Sequence, residues 1–421
     1  VRAIASECPQ GGRTKVTNHR FIAAGLSGAV VLSLALTGCG SRTDTAASSG
    51  SSAAKVAKIS VIAPMTGDLS VMGLGMKNAV DLAIKQANDA KAIPGWTLQL
   101  DAQDDTANPD VGANAATKVA ADPQVVAVVG TLNSGVAQSV QPILNKAHIT
   151  MVSPANTNPA LTIGADAANP KRTYDNYFRV CTTDAIQGPF AAQYVFNTMN
   201  MKSVAVVNDK KPYGQGLAEA FAKEFTRLGG TVVANEAVNK DDKDFTAVIS
   251  NMKAKNPQLV YFGTEFQLAG PMSSQMKAAG LAVPLMGGDG IYDDKYIQLA
   301  GAKSDGDMAT SVGAPIETLA SGKGFLDAYK AGNYKEGYSA YGAYAYDAAN
   351  AIIAALKTSL ASASDASSAR AATVTAMGSV SLDGATGKVG FDKYGDAVSK
   401  TLTVYAVTGQ KWVAKATGEL K

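Results

Sequence analysis

Short runs of β-branched residues alternate with amphipathic segments along most of the chain, beginning near Lys58. The runs predict strands, because β-branched side chains pack well on a pleated sheet, and the segments between them predict helices. The first series has strands at 59–63, 97–102, 125–129 and 149–152 and helices at 76–90, 110–121 and 138–147. Such alternation requires right-handed crossovers and predicts a parallel sheet with helices on both faces.

A second series of the same kind follows the first. It has helices at 187–199, 216–228, 245–255 and 268–279 and strands at 204–207, 231–234, 259–262 and 285–286. Beyond Gly313 the pattern predicts helices at 325–331, 338–356 and 366–377 and then a β-hairpin around 389–407. The predicted fold class is therefore α/β, with two doubly wound parallel-sheet lobes.

The chain is predicted to pass between the two lobes three times. The first lobe comprises 56–180 and 313–400, and the second comprises 181–312 and 401–421. The crossings, near 179–182, 310–313 and 400–403, would form a three-strand hinge. The 383 residues that remain of the 421 after the predicted signal, 1–38, exceed the size at which one hydrophobic core keeps growing, so two lobes with a cleft between them are expected.

An apolar run from Phe21 to Leu36 lies near the start of the chain, with Lys15 and Arg20 before it. The run has sixteen residues, which is short for a membrane span of about 20 residues. Its basic beginning and small-residue end are typical of a secretory signal. We therefore predict that 1–38 is a signal peptide and that the protein is exported. A start codon assigned too far upstream is a second expectation for this segment.

The tetrapeptide Leu-Thr-Gly-Cys at the end of this segment resembles the lipobox of bacterial lipoproteins, whose cysteine is lipidated and becomes the N-terminus. Cys39 is the predicted lipidation site, and 39–55, rich in Ser, Ala and Thr, is the predicted flexible linker. These features predict a lipid anchor on the outer face of the plasma membrane, at the cell surface or in a periplasm. Such a tether favours a partner in the same membrane. An ordinary cleaved signal followed by a chance cysteine is the alternative.

Composition narrows the function further. The formal charge of +3 falls to zero once the predicted signal is removed, so no nucleic-acid partner is expected. With Cys8 removed and Cys39 lipidated, Cys181 has no intrachain disulfide partner. The two histidines, His19 and the predicted structural residue His148, provide neither a metal site nor a histidine-based triad, so we expect no metal and no cofactor.

Ligands of open parallel sheets bind beyond the carboxyl ends of the strands, so the loops there contain the candidate site. In the first series these loops are rich in hydroxyls and amides, and in the second they carry carboxylates and aromatics. This division suits a zwitterion, because helix starts and hydroxyls favour a carboxylate and an acidic group favours an ammonium. The candidate ligand-binding residues are Met72, Asn133, Ser134, Ala155, Asn156, Thr157, Tyr213, Glu265 and Asp289.

At these loops the chain resembles the solute-binding proteins of ABC importers for branched-chain amino acids. The resemblance is to the leucine/isoleucine/valine type, which has the type I periplasmic-binding fold. The matching pieces keep their order across nearly the whole body. They are APMTGDLSVMG from Ala63, DD from Asp104, VVGTLNSG from Val128, VSPANTNPALT from Val152, FRVCTTDAIQGP from Phe178, NDKKPYGQGL from Asn208, KDFTAVISNMK from Lys243, VYFGTE from Val260 and LMGGDG from Leu285.

The resemblance implies a role for several candidates. Ser134 and Thr157 would bind the α-carboxylate of the ligand. Ala155 would offer its carbonyl to the ammonium, and Asp289 would be the acidic partner of the ammonium. Tyr213 would line the second-lobe side of the site. It also implies a receptor without enzymatic activity that closes on an amino acid and delivers it to an ABC permease in the plasma membrane. We expect this receptor to be a monomer.

Some positions depart from the family pattern. Met72 and Glu265 stand where the family often has tyrosines, and Ala107 and Asn133 stand where it has a disulfide. An unpaired buried carboxylate costs several kcal/mol, far more than a methylene in an apolar pocket gains. If Glu265 faces the cleft, a polar, amide-bearing or basic ligand side chain therefore suits the site better than an aliphatic one.

Several candidates also have an ordinary structural explanation. Ser134 is a favoured helix N-cap residue, Asp289 lies among glycines in a turn, and Glu265 could begin an exposed helix. The pair Asp104–Asp105 is predicted to shape a strand end rather than a catalytic or metal site. Helical spacing predicts core packing for a group of tyrosines, namely Tyr338, Tyr341, Tyr344 and Tyr346.

Two other functions remain open at this point. A ligand-sensing receptor of the same fold would signal to a membrane partner instead of feeding an importer. An exported serine hydrolase would need a nucleophile with an adjacent base, and its best nucleophile, Ser134, has no accompanying histidine.

Overall fold

A computed structural model of the chain describes residues 54–420. The predicted signal peptide, Cys39 and nearly all of the predicted linker lie outside the described residues, so the predictions made for them stay predictions. Between 54 and 420, none of the helices combines the length and the apolar composition needed to cross a bilayer.

The first sheet is parallel throughout. Within residues 54–420 it contains five strands, β1 (Lys55–Ala63), β2 (Trp96–Asp104), β3 (Val125–Gly130), β4 (Thr150–Ser153) and β5 (Tyr177–Arg179). Their spatial order is β2-β1-β3-β4-β5, so the chain winds first to one side of β1 and then to the other. Every residue of β3 is buried, as expected for a central strand covered on both faces. The reversal of winding beside β1 leaves a crevice at the carboxyl end of the sheet.

The second sheet is larger and mixed. Its first five strands are β6 (Ser203–Asn208), β7 (Thr231–Ala237), β8 (Leu259–Gly263), β9 (Leu285–Gly287) and β10 (Met308–Val312). A separate hairpin, β11 (Ser381–Gly384) with β12 (Gly387–Gly390), comes next in the chain, and β13 (Leu402–Val407) and β14 (Trp412–Gly418) then complete the second sheet. The spatial order is β14-β13-β10-β9-β8-β6-β7, in which β13 is antiparallel to both of its neighbours.

Helices cover both sheets. They are α1 (Ser70–Asp89), α2 (Pro109–Ala121), α3 (Ser134–Lys146), α4 (Ala160–Ile163), α5 (Asp184–Gln193), α6 (Pro212–Arg227), α7 (Thr246–Ala254), α8 (Phe266–Ala278), α9 (Asp294–Ala300), α10 (Ala320–Ala331), α11 (Gly342–Ser359) and α12 (Arg370–Met377). A π-helical turn, Tyr194–Thr198, extends α5, and short 3₁₀ turns lie at Asp289–Ile291, Ala302–Ser304, Ile316–Thr318 and Ser367–Ala369. The late helix α11 packs on α1, so the chain after β10 returns to the first lobe. The predicted α/β fold with two parallel-dominated lobes is confirmed.

Several helices begin earlier than predicted, and three of these differences affect the site. The first, α1, begins at Ser70, and its Gly73 lies so close to the Pro64 carbonyl oxygen that a side-chain carbon there would clash with it. The third, α3, begins at Ser134, and α6 begins at Pro212, where proline suits a first helical position. Met72, Ser134 and Tyr213 therefore lie in first helical turns and not in open loops.

The predicted hairpin around 389–407 is wrong. Two hairpins occupy the end of the chain, one pairing β11 with β12 and one pairing β13 with β14. The strand β13 is buried at every residue because it lies between β10 and β14 in the second sheet. The predicted lobe boundaries remain predictions, although 179–182, 310–313 and 400–403 adjoin the ends of β5, β10 and β13.

Arg179, at the end of β5, ties the first lobe together. Its side chain has no exposed surface, and its Nε donates to Asp396 Oδ1 at 2.7 Å. One Nη donates to the carbonyl oxygens of Asn156 (2.6 Å) and Asn158 (2.9 Å), and the other to Thr162 Oγ1 (2.6 Å). The guanidinium therefore fixes the loop after β4, which carries several of the candidate site residues.

Replacement of Arg179 by methionine should lower the free energy of unfolding by about 3 to 5 kcal/mol, since it leaves a buried carboxylate and two carbonyls without their donor. Urea denaturation measures this change. The control is Arg227→Met, because the Arg227 side chain is 65% exposed and pairs with Glu224 on the same helix. Equal urea midpoints for the two variants would contradict the role given to Arg179.

Candidate functional site

A cavity lies between the lobes, at the carboxyl ends of the strands of both sheets. The space within it, including the part open to solvent, is about 280 Å³. The lining residues are Met72, Leu132, Asn133, Ser134, Ala155 and Tyr341 on the side of the first lobe and Tyr213, Glu265 and Gly290 on the side of the second. The cavity is therefore made by both lobes.

Hydrogen-bond donors form the first-lobe wall. The Asn133 carbonyl already accepts from the amides of Val136 and Ala137, so the amides of Ser134 and Gly135 are left without a partner within the helix. The Ser134 hydroxyl makes no hydrogen bond to any residue in the described part of the chain. Since the N-terminus of a helix carries partial positive charge, this wall suits an anion. Ser134 is the first helical residue and not the N-cap, which is Asn133.

The loop after β4 is held from behind by Ser153 and Asn156. The Ser153 hydroxyl accepts from the amides of Ala155 (3.1 Å) and Asn156 (2.8 Å). The Asn156 side chain donates to the Leu132 carbonyl at 2.9 Å and accepts from the Tyr177 hydroxyl at 3.1 Å. Asn156 is fully buried and does not line the cavity, so its side chain positions the two first-lobe loops instead of facing a ligand.

Thr157 also lies below the cavity surface. It is fully buried, and its carbonyl accepts the amide of Asp184 at 2.8 Å, at the start of α5. Burial raises the pKa of Asp184 to about 8, and the charge of Asp289 adds to this rise, while the Thr157 hydroxyl opposes it. Near neutral pH the Asp184 carboxyl is therefore mostly protonated.

Asp289 organises the second-lobe wall without lining the cavity. Its carboxylate, only 1% exposed, accepts from the Tyr213 hydroxyl (2.9 Å), the Gln187 side-chain amide (2.9 Å) and the Tyr341 hydroxyl (2.8 Å). Burial raises the pKa of Asp289, and these donors oppose the rise. Both tyrosine hydroxyls donate their proton to Asp289, so toward any further partner each oxygen can act only as an acceptor. This wall suits a donor, such as an ammonium.

Glu265 lines the cavity and is paired. Its Oε2 lies 2.6 Å from Lys211 Nζ, and its Oε1 accepts from the Asn133 side-chain amide at 2.7 Å. Burial alone would raise the pKa of Glu265, but Lys211 and Asn133 lower it below its usual value. Because Glu265 is paired, the cost expected for an unpaired buried carboxylate is absent. That cost was the sequence-based argument against an aliphatic ligand, so the argument does not apply.

Hydrogen bonds across the cleft hold the lobes together. Besides Asn133–Glu265 and Tyr341–Asp289, the Asn158 side chain donates to the Pro212 carbonyl and the Ser339 hydroxyl to Asp293 Oδ2, both at 2.7 Å. These contacts surround the cavity, so the described arrangement is a closed one.

Most of the candidates meet at this cavity. Met72, Asn133, Ser134, Ala155, Tyr213 and Glu265 line it, whereas Asn156, Thr157 and Asp289 lie immediately behind it. Tyr341 is buried in the hydrophobic core, as predicted from the helical spacing, and it also lines the cavity, which the spacing did not predict. It lies just before α11, which begins at Gly342. Gln187 was also missed, and only its position in the first turn of α5 hinted at a role.

Two other sequence features have structural explanations. Asp104 accepts from the amides of Met65 (2.8 Å) and Thr106 (2.9 Å), so it shapes the end of β2. His148 is exposed beyond the far end of α3, roughly 20 Å along the helix from Ser134, and cannot serve that hydroxyl as a base. Across 54–420, no group of three or more His, Cys, Asp or Glu side chains is arranged to hold a metal ion.

Comparison with known proteins identifies the family. A family model described as periplasmic binding protein matches residues 56–411 of the chain. The chain belongs to this family. Periplasmic binding proteins are solute-binding proteins that act outside the cytoplasm, so the same role and location apply here. The resemblance drawn from the loop sequences is confirmed.

Individual relatives cover nearly the whole body of this periplasmic binding protein. The Leu/Ile/Val-binding protein BraC3 of Rhizobium johnstonii is 32% identical over 359 residues, covering 85% of this chain and 93% of the relative. The leucine binding protein LivK of Thermotoga maritima has a TM-score of 0.76 and 26% identity, covering 86% of this chain and 98% of its own. LivJ of Streptococcus pneumoniae, a branched-chain amino acid transporter substrate binding protein solved with isoleucine, has a TM-score of 0.76 and 26% identity, with coverage of 87% and 99%.

Stability of the binding protein should depend on pH through Asp184. The folded state keeps the Asp184 proton up to about pH 8, while the unfolded carboxyl releases it near 3.8. The folded state therefore binds more protons in this interval, and stability falls as pH rises through it. Between pH 5 and 7 the free energy of unfolding should fall with rising pH, and Asp184→Asn should make this slope shallower by about 1.4 kcal/mol per pH unit.

Urea denaturation at half-unit pH steps measures this slope. Asp166→Asn is the control, because hydrogen bonds lower the pKa of this exposed carboxyl and its contribution lies below the interval. A slope in Asp184→Asn equal to that of the unmodified protein would show that Asp184 is ionised in the folded state.

Proposed function

We propose that this protein captures an amino acid in the cavity between its lobes and delivers it to an ABC permease in the plasma membrane. The amino acid is of the branched-chain type or a more polar relative. One observation carries the proposal: a donor-rich wall from one lobe and an acceptor-rich wall from the other face each other across one cavity. The named functions of BraC3, LivK and LivJ support the amino-acid class.

The α-carboxylate is proposed to bind the first-lobe wall. The Ser134 hydroxyl has no partner among the described residues, the amides of Ser134 and Gly135 have none within the helix, and the start of α3 adds its dipole. Hydrogen bonds to charged groups are stronger than those between neutral groups, so these donors supply much of the affinity.

The α-ammonium is proposed to bind the opposite wall. Tyr213 and Tyr341 face the cavity there, with Asp289 behind them supplying the negative charge. Within the cavity, the Ala155 carbonyl adds a further acceptor from the first lobe, and Thr157 supports this loop from below. The ligand side chain then points toward the rest of the lining, which includes the apolar Met72 and the polar pair Asn133 and Glu265.

Closure of the lobes is the proposed switch. Ligand first binds the first lobe, and the second lobe then moves onto it, so that the closed state gains contacts the open state lacks. The proposed hinges are 179–182, 310–313 and 400–403, where the chain leaves β5, leaves β10 and enters β13. The closed form is the one that docks on the permease. The protein acts as a monomeric receptor and not as an enzyme.

A calorimetric titration with the twenty amino acids and with blocked leucine tests the proposed function. At least one free amino acid should bind with a Kd below about 10 μM, and N-acetyl-leucine and leucinamide, which lack one charge each, should bind at least about 100-fold more weakly than leucine. Ser134→Ala should weaken binding of the best amino acid by about 10-fold or more.

Ser367→Ala is the matched control, because Ser367 lies in a short 3₁₀ turn of the first lobe that contributes no residue to the cavity. Its affinity should equal that of the unmodified protein. Binding of the blocked and free forms with equal affinity would contradict a site built for a zwitterion.

The lipid anchor is a separate part of the proposal. When the full-length chain is expressed in a bacterium with lipoprotein export, it should separate into the detergent phase of a Triton X-114 extract, and Cys39→Ser should move it to the aqueous phase. Cys181→Ser is the control, since Cys181 is a buried free thiol of the folded body. Equal partitioning of the Cys39→Ser variant and the unmodified protein would contradict lipidation at Cys39.

A further inference from the structure

We propose that the cavity prefers amino acids whose side chain carries a neutral hydrogen-bond donor, a carboxamide or a hydroxyl, over aliphatic side chains of the same shape. Asn133 and Glu265 are the residues that determine this preference. The inference rests on the proposed function and specifies the substrate class of the same site.

The orientation of the Asn133 side chain is fixed chemically. Its Nδ2 lies 2.7 Å from Glu265 Oε1, and an ionised carboxylate can only accept hydrogen bonds, so the amide nitrogen and not the oxygen must face it. The amide oxygen therefore points elsewhere. This Oδ1 is buried and has no hydrogen-bond partner among the described residues, although Asn133 lines the cavity and is only 8% exposed.

This end of the cavity has more acceptors than donors. Asn133 Oδ1 has no donor, and Glu265 has one strong donor on each oxygen although a carboxylate offers about four lone-pair sites. A buried acceptor without a partner destabilises the closed state, whereas a ligand that supplies a donor restores the missing hydrogen bond. An aliphatic ligand of equal size fills the space and leaves the acceptor unpaired.

The surroundings disfavour ionised side chains. Lys211 Nζ lies 2.6 Å from Glu265 and 3.2 Å from Asp209, so the two carboxylates share one cation. An anionic ligand side chain would be repelled by Glu265, which lines the cavity. A cationic side chain would lose its hydration on entering the cavity, next to a Glu265 that is already paired with Lys211. A neutral donor gains a hydrogen bond at this wall without either cost.

Calorimetry on the purified protein with shape-matched ligands tests the proposal. Asparagine, leucine and aspartate share one branching pattern, and threonine and valine share another. Asparagine should bind at least about 10-fold more tightly than leucine, and threonine more tightly than valine, while aspartate should bind more weakly than asparagine. In Asn133→Ala the asparagine-to-leucine affinity ratio should fall to about one.

Asn158→Ala is the matched control, because this asparagine also donates across the cleft, to the Pro212 carbonyl, but does not line the cavity. This variant should weaken the binding of asparagine and of leucine by the same factor and leave the ratio of the two affinities unchanged. Thermal unfolding of each variant confirms that it folds.

The outcomes separate the two proposals. Leucine and valine binding as tightly as asparagine and threonine, or more tightly, would overturn the substrate class while leaving the amino-acid receptor intact. An Asn133→Ala variant that weakens both ligands equally would do the same, since Asn133 would then serve closure only. If none of the amino acids binds, the proposed function itself fails.

Discussion

Burial of the Asp289 carboxylate is the constraint on which the rest of the site depends. A carboxylate removed from water costs several kcal/mol unless donors replace its hydration. Here the donors are Tyr213, Gln187 and Tyr341, which come from two helices of the second lobe and from the first-lobe segment before α11. The tyrosine wall and the contact between the lobes therefore form together, and the cavity is complete only when the lobes meet.

The opposite wall depends on a different kind of support. Arg179 and Ser153 fix the loop after β4 from behind, and the start of α3 presents amides and the Ser134 hydroxyl to the cavity. One wall is thus a set of preorganised donors. The other consists of tyrosines that lie between the cavity and a buried negative charge. A small guest with opposite charges at its two ends can bridge them, which links the closed shape of the protein to the capture of a dipolar solute.

The sequence predicted the two lobes and much of the site for a clear reason. Alternating strands and helices define the strand ends, and Ser134, Tyr213 and Glu265 directly follow strands that the hydrophobic pattern identifies. Tyr341 could not be found in this way, because it follows no strand and its approach to Asp289 depends on how α11 packs. The pairing of Glu265 with Lys211 likewise joins loops 54 residues apart, and no local pattern reveals it.

A crystal structure of the protein with its bound amino acid is the most direct test of this account. The account predicts the α-carboxylate within hydrogen-bond distance of Ser134 and the first amides of α3, and the α-ammonium against Tyr341, Tyr213 and Asp289, inside a closed cleft. A ligand bound in the reverse orientation, or bound outside the shared cavity while the lobes remain closed, would contradict it.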